Sequence, residues 1–141
     1  MIARMSGDRP TAIILLEQLD KMATYHTVKT TKNLQTLVTD LNYCRPKFDI
    51  AFDTETTGLD IFTAKCLGYS FSLEPHVAWW IPIKIDPQLR QLKRLLNNRN
   101  VVVFNAGYDL AIINKYGVDI PIANVKDVMI NESDEIFCEE G

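Results

Sequence analysis

Phe48-Asp49-Ile50-Ala51-Phe52-Asp53-Thr54-Glu55-Thr56-Thr57-Gly58-Leu59 is the stretch of this 141-residue chain on which the fold turns. Its first five residues are largely apolar and short enough for a buried strand, and that strand runs directly into an acidic pair. Asp53 and Glu55 stand two residues apart, so on a strand their carboxylates project from one face. Hard oxygen donors so placed suit magnesium or manganese. Downstream, Val101-Val102-Val103-Phe104 is a second short apolar run of the interior-strand kind, and Asn105-Ala106-Gly107-Tyr108-Asp109 follows it. With the two strands as neighbours, Asp109 can complete a cluster around two ions. At a separation of roughly 3.5 to 4 Å such ions activate a water and stabilise the leaving oxygen in phosphodiester hydrolysis. Carboxylates held side by side without cations repel one another. A lone Asp-x-Glu also occurs at solvated strand ends, and Gly58 fits an ordinary turn, so the weight rests on the two segments together.

Working outward, Thr11 to Met22 places Ile13, Leu16, Leu19 and Met22 at helical spacing, which predicts an amphipathic N-terminal helix within residues 1–24 leading into the domain. Tyr25 to Lys29 alternates as a short strand. Thr30 or Thr31 can cap a second helix whose Leu34, Leu37, Val38 and Leu41 share a face and which stops near Arg45-Pro46. Cys66 to Leu73 and Val77 to Ile83 read as strands joined in a hairpin through Glu74-Pro75-His76. Trp79 and Trp80 then point to opposite faces, one of them into the core. A helix over Pro87 to Leu96 sets Leu89, Leu92, Leu95 and Leu96 on one side. Arg90, Lys93 and Arg94 form a basic face opposite, able to approach phosphates but most simply a solvated one. Another helix runs from Tyr108 to Tyr116, stopped by Gly117. Strands grouped first as a hairpin and then alternating with helices predict an α/β domain with a mixed central β-sheet flanked by helices. From Asn131 the chain becomes an acidic tail, expected to be disordered.

Composition narrows the class. With 47% hydrophobic and 9% aromatic residues the chain can build one core, and a net charge of −3 excludes a global positive field for nucleic acid. Any nucleic acid must be held locally. Cys44, Cys66 and Cys138 are odd in number and far apart, which argues against a disulfide framework and a structural zinc and suits a reducing cytosol. No apolar run near the start is long enough to span a bilayer, so a soluble cytoplasmic protein is expected.

The string Phe52 to Asp60, FDTETTGLD, is similar to the first exonuclease motif of the DEDD superfamily, and Asn105-x-x-x-Asp109 resembles the second. Leu67-Gly68-Tyr69-Ser70-Phe71-Ser72, Trp80-Ile81-Pro82-Ile83 and Asp127-Val128-Met129-Ile130 resemble the proofreading domain of family A DNA polymerases more than RNase D or the Werner exonuclease. The resemblance covers residues 25–130 and implies an RNase H-like exonuclease fold with magnesium or manganese as cofactor. It implies that Asp53 bridges two metals, that Glu55 binds one and contacts the 3′ hydroxyl, and that Asp109 holds the second chiefly through water. Thr56, Leu59, Asn105 and Tyr108 are the implied nucleic-acid contacts: Leu59 wedges against the terminal base, Asn105 positions the strand near its phosphates, and Tyr108 lines the strand channel. The implied partners are a single-stranded DNA 3′ end and a polymerase domain in the same or a separate chain.

The chain departs from the family pattern at its third motif, Tyr-x-x-x-Asp or His-x-x-x-x-Asp. His26 and His76 precede Asp109, and the last tyrosine is Tyr116. A C-terminally truncated domain, weak or inactive alone, is therefore expected, with Asp134 or Glu135 of the tail as a remote substitute ligand. Gly107 stands where many relatives carry lysine. Two other functions compete: a catalytically incomplete module that binds DNA ends or braces a polymerase, and RNA 3′ trimming of the RNase D type.

Overall fold

Every alternating run between Tyr25 and Phe104 finds a place in one sheet. The computed structural model describes residues 25–128. Its sheet has six strands in the order β1-β4-β3-β2-β5-β6: β1 Tyr25–Thr27, β2 Ile50–Thr56, β3 Cys66–Glu74, β4 Val77–Pro82, β5 Val101–Val103 and β6 Val125–Asp127. The β2–β3 and β3–β4 pairs are antiparallel, whereas β1–β4, β2–β5 and β5–β6 are parallel. The sheet is therefore mixed, as the sequence predicts.

Helix α1, Thr31–Cys44, links β1 to β2. The Thr30 hydroxyl accepts the Asn33 N–H at 3.0 Å, satisfying one free donor of the first turn, and Leu34, Val38 and Leu41 are its buried stripe. Helix α2, Arg90–Leu96, precedes β5, and α3, Ala106–Asn114, carries the chain from β5 to β6. Apolar side chains of α1 and α2 meet alternate residues of the sheet, Ile50 and Phe52 of β2, Tyr69 and Phe71 of β3 and Val101 and Val103 of β5, in one core. The other face of the strands is built from small residues: Ala51, Ser70, Ser72, Ala78 and Val102 are all buried.

Several boundaries differ from expectation. The helix expected from Pro87 starts at Arg90, because Leu89 is left-handed at φ 54° and the Asp86 carboxylate accepts the N–H groups of Gln91 and Leu92 at 3.1 and 3.0 Å. The helix expected from Tyr108 starts two residues earlier, at Ala106, whose N–H is held by Asp127 at 2.9 Å. The same helix ends at Asn114 rather than Tyr116, and Gly117, at φ 86°, lies in the turn that follows. The hairpin turns at His76, φ 70°, and Ile83 to Ile85 leave the sheet as a 3₁₀ turn. Strand β6 is not foreshadowed, since three residues carry no periodicity. The N-terminal helix and the acidic tail lie outside the described residues.

The two tryptophans take opposite faces. Trp79 packs on the core with its ring 4.9 Å from that of His26, and Trp80 lies over Gly68, where a Cβ would come within 2.4 Å of its ring.

Candidate nuclease site

Strands β2 and β5 run parallel and in register, Ile50 against Val101 and Ala51 against Val102. Their C-terminal ends therefore open on the same side of the sheet, the position where open α/β sheets collect ligands. A cavity of about 340 Å³ lies there. Asp53, Glu55 and Asp109 line it, and so do Thr56, Leu59, Asn105 and Tyr108, which brings together all seven site residues read from the sequence. Thr54, Gly58 and Phe104 complete the wall.

The three carboxylates differ in surroundings. Glu55 is exposed, Asp53 is half-buried and Asp109 is 4% exposed. Thr54, itself buried, donates its hydroxyl to Asp109 Oδ1 at 2.7 Å. Burial pushes the Asp109 carboxyl up to about 6; the charges of Asp127 and Glu55 add to the rise, and hydrogen bonds from Thr54 oppose it. Thr54 alternates with Asp53 and Glu55 along the strand, so Asp109 reaches β2 from the side opposite those two. The three line one cavity at the strand end, but the cluster expected from the sequence is not formed by their side chains as they stand. Among the described residues no three His, Cys, Asp or Glu side chains form a group ready to hold a metal ion. The donor chemistry, hard carboxylate oxygens of which the buried Asp109 pair is costly to ionise without a cation, nonetheless fits a hard divalent ion.

The loop after β2 is fastened to this cavity. The Tyr108 hydroxyl donates to the Gly58 carbonyl and meets the Thr56 hydroxyl, which in turn reaches Gly58 O at 2.8 Å. Thr57 and Lys65 close the neck with two bonds of 3.0 Å, Thr57 N–H to Lys65 O and Lys65 N–H to Thr57 Oγ1. Lys115 Nζ donates to the carbonyls of Ile61 and Ala64 at 2.9 and 2.6 Å. Leu59 is 93% exposed on this pinned loop. Asn105 is exposed at the head of α3, its carbonyl accepting the Tyr108 and Asp109 N–H groups. At Gly107 an added Cβ would meet only Asn105 Oδ1, at 3.8 Å, so neither space nor backbone demands glycine.

Sequence reasoning missed three residues. Thr54 carried a signal, a hydroxyl on the buried side of a strand that must find a partner there. Phe104, 55% exposed and lining the cavity, looked like the end of an interior strand. Asp127 had no visible role until β6 placed it beside the head of α3.

The fold and this cavity define a class, the RNase H-like exonuclease domains. The EXO domain of Nibbler from Aedes aegypti superposes with a TM-score of 0.59 at 14% identity, covering 78% of this chain and 55% of that one. The catalytic core of RRP6 from Trypanosoma brucei gives 0.57 at 18% identity over 76% of this chain and 30% of that one. RNase D of the same organism, in complex with RNA U12, gives 0.60 at 17% identity, covering 82% and 41%. In sequence, the 3′-5′ exonuclease family of the family A DNA polymerases matches residues 25–134. The chain belongs to that family. DNA polymerase I of Borreliella burgdorferi is 29% identical over 115 residues, which span 75% of this chain and 12% of that polymerase. Among the described residues no helix is long and apolar enough to cross a membrane.

Proposed function

We propose that this chain removes nucleotides from single-stranded DNA 3′ ends by divalent-metal-dependent hydrolysis, as the proofreading exonuclease domain, or part of it, of a family A DNA polymerase. The observation that supports this reading best is the gathering of Asp53, Glu55 and Asp109 on one cavity at the paired ends of β2 and β5. Similarity to a DNA polymerase supports DNA over RNA as substrate.

Asp53, Glu55 and Asp109 would hold magnesium or manganese, which when bound supplies activation of the attacking water and stabilisation of the leaving 3′ oxygen. The protein's own groups do the positioning. Thr54 fixes the orientation of Asp109, and Glu55, exposed at the mouth, faces the incoming strand end. Leu59, held out on its pinned loop, meets the terminal base, and Asn105 and Tyr108 border the path of the backbone. The third-motif aspartate and its aromatic or imidazole partner are lacking in the sequence. Asp127, whose Oδ2 accepts the Ala106 N–H, is not among the residues that line the cavity.

The test compares this chain with a version lengthened to include a Tyr-x-x-x-Asp segment, on 3′-ended single-stranded DNA and RNA with magnesium or manganese. Losing a positioned acid–base group costs on the order of 10²- to 10⁴-fold. The expected result is digestion barely above background by the 141 residues, and metal-dependent digestion of DNA by the lengthened version that disappears with Asp53→Ala or Glu55→Ala. A lengthened version that binds DNA and leaves it intact would make the domain a non-catalytic module. Preference for RNA would move the reading to 3′ trimming of RNA.

A further inference from the structure

A second cavity, of about 480 Å³, opens between α2 and the end of α3 and is lined by Gln88, Arg90, Lys93, Lys115, Tyr116 and the turn at Gly117–Val118. Three of these side chains are cationic and none is acidic, in a chain whose net charge is −3. The basic face of α2 divides here. Arg94 turns away, donating to Gln91 Oε1 and to Thr39 Oγ1, whereas the Arg90 and Lys93 side chains make no ion pair or hydrogen bond with the described residues. Among the described residues Lys115 bonds to the carbonyls of Ile61 and Ala64 and pairs with no carboxylate. Those carbonyls belong to the pinned loop that carries Leu59 at the candidate nuclease site, so the basic groove adjoins that site through Lys115. Along α3 the six steps from Asp109 to the C-cap residue Lys115 rise about 9 Å, the span of about three phosphates of a stacked strand.

We infer that this groove binds the phosphodiester backbone of the substrate strand a few nucleotides upstream of its 3′ end, with Arg90 and Lys93 as the phosphate contacts. The inference rests on the function proposed above. It makes binding dependent on strand length: an oligonucleotide too short to reach the groove gains nothing from these cations, while a longer one gains affinity that salt weakens.

The experiment measures binding of 5′-labelled oligodeoxythymidines of three and fifteen nucleotides by fluorescence anisotropy, with calcium as the divalent cation, across a salt series. The full 141-residue chain is compared with R90Q/K93Q and with the charge-conserving R90K/K93R, each verified as folded by its circular dichroism and melting temperature. R90Q/K93Q is expected to bind the 15-mer about tenfold more weakly. Its slope of log K against log salt should be shallower by about 1.4, the value for two phosphate contacts on a single strand, with trinucleotide binding unchanged. R90K/K93R is expected to retain the wild-type length dependence. Unchanged 15-mer affinity and slope in R90Q/K93Q would overturn the groove and leave the nuclease reading standing, and so would an equal loss on both lengths. Failure of the wild type to bind either oligonucleotide would overturn both.

Discussion

Asp109 sits where a carboxylate is costly to ionise, and the pH dependence of the fold should register it. Its carboxyl titrates near 6 in the folded chain against an ordinary value of 3.8, chiefly because it is buried. Between those values the unfolded chain releases the proton first, so raising the pH favours unfolding, and the penalty is complete above about pH 6. A raised acid pKa of this size corresponds to a cost on the order of 2–3 kcal/mol at neutral pH. Asp109→Asn can still accept the Thr54 hydroxyl without the charge. Metal-free melting curves should show the wild type losing stability from pH 4 to pH 6.5, and the variant losing much less. Equal pH profiles would mean that water already relieves Asp109 in the folded chain. At this scale the acids were legible because strand alternation and the Asp-x-Glu spacing are local facts. The Thr54 bond to Asp109 joins residues 55 apart, and no local pattern announces it.

Among the elements, the helix ends that feed the central strands depend on Arg99. The residue is 2% exposed, and its guanidinium donates to the carbonyls of Leu95, Arg45, Phe48 and Leu41 and to Asn42 Oδ1, so one cation serves the C-terminal ends of both α1 and α2. Helix C-termini carry partial negative charge, which balances the cation without a carboxylate. Arg99→Leu would leave several buried carbonyls unpaired and should cost at least about 3 kcal/mol in chemical denaturation. A loss below 1 kcal/mol would show that water replaces the guanidinium. Gly68→Ala tests the packing of β3 on β4. The new methyl would meet the Trp80 ring at 2.4 Å and the Ile81 carbonyl at 2.6 Å, and because the carbonyl is backbone, overpacking should cost about 1–3 kcal/mol. Gly107→Ala, in open space within α3, should stabilise by about 0.5–1 kcal/mol, read as a higher melting temperature. Strands β1 to β5 and α1 were readable from hydrophobic patterning and the Thr30 cap. The start of α2 was not, because Asp86 caps it from four residues upstream while also accepting the Tyr69 hydroxyl at 2.7 Å.

For the molecule as a whole, the carboxylate cavity ties stability to cations. Magnesium or manganese bound only by the folded chain raises its stability by RT ln(1 + [L]/Kd), about 2.7 kcal/mol at a hundredfold excess over Kd. The melting temperature should therefore rise with either ion, more at pH 7.5 than at pH 5, where protons compete at Asp109. Asp53→Asn should remove the rise, and a rise that survives would place the ion elsewhere. The mixed sheet and the neighbouring of β2 and β5 could be expected from hydrophobic runs and from the family resemblance. The closing strand β6 could not, because its three residues are specified by pairing with β5 and by the Asp127 bond to α3, both long-range. The two outer strands of the sheet have a further consequence. Among the described residues β1 and β6 are each only three residues long, and β6 carries Lys126 and Asp127. Within the described residues, an edge as short as β6, with charged side chains at Lys126 and Asp127, offers little template for a strand from another molecule.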